Sequence, residues 1–166
     1  MTKILTGLHE IASGYDALVC DVWGVLHNGD KAKLPACTAL KTFREKHGPV
    51  IWLTNSPRPG SVGEELFVKK YGVPLDCYDA IVTSGVATRD DLEKRTRSGK
   101  LSMLHLGPER DRGIFEGLNI ETVDAERAQI VLCSGLYDDE KETPADYVSL
   151  LEKMKARKLA MICANP

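Results

Sequence analysis

The sequence predicts an α/β fold built on parallel strands, and three observations lead to it. Short apolar runs recur along the chain, helix-like segments separate them, and few of the runs alternate cleanly between apolar and polar residues. Parallel strands that are covered on both faces lack such alternation. Strands that take turns with helices are typical of βαβ units. The predicted strands span residues 17–20, 50–53, 80–82, 101–106, 130–133 and 159–163.

Four helices are predicted between these strands, three from the spacing of apolar residues and the one at 90–97 as a charged surface helix closed by Gly99. Leu40 and Phe43 share one face of the first helix, and Gly72 and Pro74 end the second. Pro144 falls in the first turn of the last helix, where its missing N–H group is tolerated. The four helical segments lie at residues 39–43, 66–71, 90–97 and 143–154.

A boundary near Ser84-Gly85 divides the predicted elements into two α/β parts, residues 1–83 and residues 84–166. The last apolar run ends at Cys163, and the chain stops three residues later at Pro166. Natural domains seldom stop where a loop has just begun. We therefore expect the second part to be truncated.

The composition excludes several classes of function. The 166 residues are 43% apolar and carry a net charge of −2, with charges of both signs spread along the chain. This pattern predicts no binding of nucleic acid or of membrane surfaces, and no apolar run is long enough for a membrane span. The five cysteines form no C-x-x-C pair and lie mostly in apolar runs. Reduced, buried thiols of this kind predict a cytoplasmic protein.

The most informative segment runs from Tyr15 to Leu26, where an apolar strand leads into Asp21 and then into a turn containing Gly24. Ligands of open α/β sheets sit outside the carboxyl ends of the strands. A carboxylate there can act as a nucleophile or metal ligand, and the N–H groups of a glycine-containing loop can bind an anion. The alternative is that Asp21 only caps a turn or a helix.

A second predicted strand end carries further polar groups. The run at 50–53 leads into Thr54, Asn55 and Ser56. Together with Asp21, these groups could hold a phosphoryl group between two strand ends. The alternative is a polar turn before a helix, with Ser56 or Ser61 as its N-cap.

These motifs resemble those of the haloacid-dehalogenase-like hydrolases. Asp-Val-Trp-Gly-Val-Leu at 21–26 looks like the family's first motif, D-x-D-G-[TV]-L, and Leu-Thr-Asn-Ser at 53–56 looks like the second. The segments at 82–88 and 162–166 resemble the cap region of the class IIA branch, which includes phosphatases of small phosphorylated metabolites. The resemblance implies a Rossmann-like core at 1–83 and an inserted α/β cap at 84–166.

The resemblance also implies roles for particular residues. Asp21 would be the nucleophile, taking the phosphoryl group as an aspartyl phosphate. The Asp21 carboxylate and the Trp23 backbone carbonyl would bind Mg²⁺. Thr54, Asn55 and the loop at Trp23 and Gly24 would bind the phosphate. The implied function is Mg²⁺-dependent hydrolysis of a small phosphorylated metabolite.

Two departures from the family pattern support a rival hypothesis. Trp23 stands where the family has a second Asp that acts as general acid/base, a loss that typically costs ~10²–10⁴ in rate. The family's phosphate-neutralising Lys and its later acidic metal ligands follow the Asn-Pro segment at which this chain stops. The rival is therefore a non-catalytic or very weakly active phosphate-binding relative, or an inactive fragment. The sequence leaves the substrate undecided, and a homo-oligomer remains open.

Overall fold

The computed structural model describes residues 4–58 and 65–166, which form two compact units. The first unit comprises the described residues within Met1–Thr54 and Gly60–Val82. The second comprises those within Asn55–Pro59 and Thr83–Pro166. The chain thus passes into the second unit directly after Thr54 and again after Val82. The predicted domains, 1–83 and 84–166, stay a prediction about separate folding.

The first unit contains a three-stranded sheet in the order β1-β2-β3. Its strands are β1 (Leu18–Asp21), β2 (Val50–Thr54) and β3 (Ala80–Thr83), and β1 pairs with β2 in parallel. Helix α1 (Leu34–Lys46) follows β1 and has Pro35 in its first turn. Short 3₁₀ helices at Leu8–Glu10, Ala12–Gly14 and Leu75–Cys77 and a π-helical turn at Leu66–Lys70 complete the described part of the unit.

One face of the first sheet carries the core of this unit. Val50 and Trp52 of β2 are fully buried against Leu40 and Phe43 of α1 and the residues around them. The Trp52 ring also stacks on Tyr78, with ring centroids 4.0 Å apart. Alternate residues of the strands point to the opposite face, where Val19, Leu53 and Val82 are exposed.

The second unit contains a four-stranded sheet in the order β5-β4-β6-β7, in which each neighbouring pair is parallel. Two apolar clusters cover this sheet: one contains Met103 and Leu132, the other Leu104 and Val131. Since adjacent residues of β4 and of β6 fall in different clusters, both faces are buried, as expected for parallel strands. The elements are α2 (Ser84–Thr96), β4 (Leu101–Leu106), β5 (Ile120–Thr122), β6 (Ile130–Cys133), α3 (Val148–Ala156), β7 (Ala160–Cys163) and 3₁₀ helices at Glu109–Ile114 and Pro144–Tyr147.

The predicted α/β fold class is confirmed, and three local predictions are corrected. Strand β5 was not predicted, because its three residues, Ile-Glu-Thr, give no apolar run. Helix α2 begins at Ser84 rather than at residue 90, because the Thr83 side chain accepts a hydrogen bond from Val86 N (3.0 Å) and so caps it. The last helix is a 3₁₀ turn followed by α3. The N-cap predicted at Ser61 lies outside the described residues.

Helices α1 and α2 are the longest among the described residues, at 13 residues each. A helix needs about 20 predominantly apolar residues to cross a bilayer. None of the helices in the described part of the chain reaches that length with the necessary apolar character.

Candidate functional site

Asp21 is the last residue of β1, at the carboxyl end of the first sheet. Its side chain is exposed, and its Oδ1 accepts a hydrogen bond from Val22 N at 2.7 Å. The carboxylate is therefore turned toward the loop that follows the strand. Val22 is itself fully buried, which anchors the backbone that presents Asp21. An exposed carboxylate on an anchored strand end is suited to act as a nucleophile or a metal ligand.

The loop after Asp21 is a tight turn held by two backbone hydrogen bonds. Gly24 has a left-handed φ of 81°, and its N–H donates to the His27 carbonyl at 2.7 Å. Leu26 N donates to Val22 O at 2.9 Å. Gly24 was predicted to bind phosphate. Its amide is already engaged, so binding through that N–H requires exchange of the bond to His27.

Lys33 contributes a cation to this loop that sequence reasoning missed. Its Nζ donates to the Gly24 carbonyl oxygen, and its backbone N–H donates to Leu26 O at 2.7 Å. The ammonium group is therefore held at Gly24, the residue after Trp23, in the loop that follows Asp21. Lys33 lies nine residues beyond Gly24 and immediately before α1, so no local pattern signals this contact.

Trp23 is 60% exposed, yet its indole ring is held in place. It meets the His27 ring edge-on, with centroids 5.3 Å apart and an interplanar angle of 82°. Gly29 lies beneath it: a Cβ atom there would approach Trp23 Cη2 to 2.7 Å. The indole thus covers the loop surface as a packed aromatic group. It offers no group that can transfer a proton to a substrate.

His27 supports this arrangement from inside the unit. It is only 2% exposed and stacks on Tyr71, with ring centroids 4.2 Å apart and an interplanar angle of 14°. Its Nδ1 accepts a hydrogen bond from Gly29 N at 3.1 Å, so that nitrogen carries no proton. Burial lowers the pKa of His27 below its ordinary value. The ring is therefore a neutral structural group in the fold.

Thr54 ends β2, next to the end of β1, and is buried. The register places Asp21 opposite Leu53, so Thr54 extends one residue further along the sheet. Strict alternation assigns Asp21 to the exposed face with Leu53 and Thr54 to the core face with Trp52. For both side chains to contact one phosphoryl group, the backbone must turn at the strand ends so that they approach each other. Such shared binding stays a prediction.

Asn55 belongs to the second unit, unlike the other predicted site residues. Its side-chain Nδ2 donates to the backbone carbonyl of Pro166 at 3.0 Å. The following Ser56 carbonyl accepts hydrogen bonds from Ser84 Oγ at 2.9 Å and from Gly85 N at 3.2 Å. Asp21, Trp23, Gly24 and Thr54 thus fall in the first unit and Asn55 in the second, and phosphate binding by this set of residues stays a prediction.

The donor set for a metal ion is small. Within residues 4–58 and 65–166, no three His, Cys, Asp or Glu side chains come together in an arrangement that could hold a metal. The predicted ligands are thus one carboxylate, from Asp21, and one backbone carbonyl, from Trp23. Mg²⁺ commonly keeps several waters and binds through one or two carboxylates plus substrate phosphate. These two ligands fit a Mg²⁺ site with a single carboxylate, in which water and substrate phosphate supply the remaining ligands.

Comparison of the sequence with protein families gives one match. Residues 18–121 match the haloacid dehalogenase-like hydrolases. This segment covers more than half of the chain and includes both strand ends described above. No curated protein matches the chain by sequence.

Solved structures give matches over nearly the whole chain. A haloacid dehalogenase-like family hydrolase from Brucella suis is 44% identical, with a TM-score of 0.88, over 99% of this chain and 61% of that one. A 4-nitrophenylphosphatase from Thermotoga maritima is 23% identical (TM-score 0.62, 93% and 56% covered). A glycerol phosphate phosphatase from Mycobacterium tuberculosis, solved with magnesium, is 19% identical (TM-score 0.61, 93% and 45% covered). The chain therefore spans about half to three fifths of the length of these structures.

Proposed function

Because the chain belongs to the haloacid dehalogenase-like hydrolase family, we propose that the protein is a Mg²⁺-dependent phosphomonoester hydrolase with Asp21 as its nucleophile. The observation that carries the proposal is the exposed Asp21 carboxylate at the end of β1, turned toward an ordered loop. The substrate class we propose is a small phosphorylated metabolite, and we propose a cytoplasmic location. The location is proposed because all five cysteines are free thiols, as is typical of a reducing compartment. Burial raises the pKa of one of them, Cys77, to about 12.

The proposed reaction has two steps. A carboxylate oxygen of Asp21 forms a bond to phosphorus while the bond from phosphorus to the ester oxygen breaks, so the alcohol leaves with the electron pair and takes up a proton from solvent water. Water then attacks the phosphorus of the aspartyl phosphate, which releases inorganic phosphate and restores the carboxylate. Bound Mg²⁺ would supply positive charge that offsets the repulsion between the phosphoryl group and Asp21.

The remaining residues would position the reacting groups. The Lys33 ammonium at the Gly24 carbonyl adds a fixed positive charge to the loop that follows the nucleophile. The Thr54 hydroxyl, at the end of the neighbouring strand, would hydrogen-bond a phosphoryl oxygen. Phosphoryl transfer depends mostly on such positioning and charge neutralisation.

Trp23 supports the second candidate, a non-catalytic or very weakly active relative. With no acid to protonate the leaving alcohol, turnover falls by ~10²–10⁴, and it falls least for esters whose alcohol leaves readily as an anion. We therefore expect low activity that is strongest on aryl phosphates such as p-nitrophenyl phosphate.

The test compares this 166-residue chain with a longer version that extends over the full length of the Brucella suis relative. We expect no Mg²⁺-dependent turnover above background from the 166-residue chain. It lacks the family's phosphate-neutralising Lys and later acidic metal ligands, and the loss of each such group typically costs ~10²–10³ in rate. The longer version should show low, measurable turnover. Asp21→Asn should abolish it, because an amide cannot take up the phosphoryl group.

Asp16→Asn is the matched control, since Asp16 is an exposed aspartate that precedes the same strand. Activity of the longer version that survives Asp21→Asn would show that another residue is the nucleophile. Turnover by the 166-residue chain that is lost in Asp21→Asn would show that the additional sequence is not needed. A longer version with no turnover on any ester would favour the non-catalytic candidate.

A further inference from the structure

Two cysteines of the second unit are partners in its sheet. Cys133 is the last residue of β6 and Cys163 is the last residue of β7, and the register pairs their Cα positions directly. The two strands run in parallel. Residues paired in this way point to the same face of a sheet. The two thiols therefore lie side by side at the carboxyl ends of neighbouring strands.

The packing of the sheet shows which face the two cysteines share. Leu132 and Ile162, the residues just before them, belong to the apolar cluster on one face. Cys133 packs with Val131 in the cluster on the opposite face. Because side chains alternate along a strand, Cys163 points to that second face as well. Neither strand places its backbone between the two sulfur atoms.

The spacing of the two strands suits a disulfide bond. Neighbouring strands lie ~4.8 Å apart, and disulfide bonds join residues whose Cα atoms are ~4.4–6.8 Å apart. Ala164 N donates to the Cys133 carbonyl oxygen at 2.8 Å, which holds the end of β7 beside Cys133. In the described part of the chain β7 is an edge strand, so its end can adjust toward β6. The fold thus brings the two cysteines within bonding range without a change in strand pairing.

The two thiols differ in their access to solvent. Cys163 is exposed, whereas Cys133 is half-buried. Burial raises the pKa of the Cys133 thiol; a backbone contact with Gly135 partly offsets this rise, and the nearby Cys163 adds to it. Oxidants react with accessible thiolates. Cys163 is therefore the thiol that meets an oxidant first, and Cys133 is the neighbour that can react with its oxidised product.

We propose that Cys133 and Cys163 form a peroxide-sensitive dithiol that closes reversibly into a disulfide bond between β6 and β7. The Cys163 thiolate attacks one oxygen of hydrogen peroxide and the O–O bond breaks. The sulfur becomes a sulfenic acid, and the hydroxide that leaves takes up a proton to form water. The Cys133 sulfur then attacks the Cys163 sulfur; the Cys133 proton and the sulfenic hydroxyl leave as water, and the disulfide forms.

Reduction completes the cycle. A dithiol reductant attacks the disulfide, restores both thiols and is itself oxidised to a disulfide. In a reducing compartment the resting form is the dithiol, and disulfides formed there are usually transient and redox-sensing. Neither step involves Asp21, so the proposal is independent of the proposed phosphatase function.

A second pair of neighbouring thiols provides an internal reference. Cys37 of α1 and Cys77 are both buried in the core of the first unit, where each influences the pKa of the other. Burial is the main cause that raises the pKa of both thiols. Buried thiols of raised pKa are inert. Peroxide should therefore leave this pair reduced while the protein stays folded.

The experiment oxidises the folded, reduced 166-residue chain with stoichiometric hydrogen peroxide, alkylates the remaining thiols and maps tryptic peptides without reduction. Cleavage after Lys and Arg places the five cysteines on five different peptides, with Cys133 on 128–141 and Cys163 on 159–166. We expect these two peptides to be joined, with the loss of two alkylation sites. Dithiothreitol should separate them again. Cys37 and Cys77 should be recovered alkylated.

Two variants and a control assign the steps. Cys133→Ser should stop at the sulfenic acid of Cys163, which dimedone traps. Cys163→Ser should leave Cys133 reduced. Cys20→Ser, which changes a half-buried cysteine of the first unit, is the control and should form the disulfide like the wild type. Asp21→Asn should also form it, whether or not the protein is a phosphatase. Circular dichroism of each variant establishes that it is folded.

Oxidation of the chain unfolded in urea tests whether the fold directs the pairing. Without the sheet, Cys133 and Cys163 lose their register, so the joined pair should give way to a mixture of disulfides. A pair that forms equally well in urea would overturn the proposal. So would recovery of both cysteines in alkylated form from the folded chain, linkage of Cys163 to any other cysteine, or a disulfide that joins two chains.

Discussion

Trp23 is the residue at which this chain departs most from its family's first motif. The indole rests on Gly29 and on the edge of His27, and His27 in turn stacks on Tyr71. The aromatic contacts fix the loop after Asp21 without a second carboxylate. A residue that would serve proton transfer is thus replaced by one that packs.

Trp23→Asp in the longer version should restore a group able to protonate the leaving alcohol. We expect turnover on alkyl phosphates to rise by ~10²-fold or more, with a much smaller change for p-nitrophenyl phosphate. Steady-state kinetics on both esters measure the effect. Trp23→Asn is the control, because it has the same size as Asp and transfers no proton. An equal gain in turnover in Trp23→Asn would show that the indole acts only by blocking access to the site.

The buried His27 predicts a pH-dependent stability. Its pKa is lowered by burial, so the unfolded chain binds the proton more readily than the folded chain. The free energy of unfolding should therefore fall as the pH drops below the ordinary value of 6.5, and each 1 kcal/mol lost lowers Tm by roughly 2–4 °C. Thermal unfolding at pH 7.5 and pH 5 measures this loss.

His27→Gln should reduce that pH dependence, because its amide does not titrate, although it should be less stable at both pH values. His9→Gln changes an exposed histidine and serves as the control. His105 of the second unit, whose pKa is likewise lowered by burial, contributes a loss of the same sign, so part of the dependence should survive. An unchanged pH dependence in His27→Gln would show that His27 is not the group responsible.

At the scale of elements, the start of β2 is fitted closely to the start of β1. Leu18 N donates to Pro49 O at 2.9 Å, just before the two strands pair. Gly48 lies against the backbone beside this bond, where a Cβ atom would be 1.9 Å from the Asp16 carbonyl oxygen. The register that places Asp21 opposite Leu53 therefore begins at a contact that only glycine permits.

Gly48→Ala should destabilise the first unit by about 1–3 kcal/mol, since backbone atoms rather than a flexible side chain must move. Chemical denaturation of both variants measures the difference. Gly14→Ala is the control, because a Cβ atom there meets nothing within 4 Å. A Gly48→Ala protein as stable as Gly14→Ala would show that the strand ends can shift without cost.

On the scale of the whole molecule, one face of the first sheet is uncovered. Val19, Leu53 and Val82, one from each strand, are 63%, 50% and 42% exposed. In α/β proteins the faces of parallel sheets are normally covered. Large exposed apolar patches mark interaction sites or a liability for aggregation. Self-association through this face would produce a homo-oligomer.

The 166-residue chain should therefore bind a hydrophobic dye and self-associate. Replacing Val19 and Leu53 by lysine should lower both dye fluorescence and the associated fraction in sedimentation velocity. Leu151→Lys, at a 40% exposed position on α3 in the other unit, is the control and should change neither. A wild-type chain that is monomeric, unfolds cooperatively and binds little dye would contradict this expectation.

The fold class, the strands that carry Asp21 and Thr54, and the family were all predictable from the sequence. These follow from patterns that are local, namely apolar runs, strand-end polar residues and short motifs. The three-dimensional structure was needed to show that Lys33 reaches Gly24, that His27 stacks on Tyr71, and that Asn55 belongs to the second unit. It was also needed to show that Cys133 and Cys163 are partners on neighbouring strands. The physical reason is that these contacts join residues far apart in the chain, through packing and strand order that no local spacing encodes.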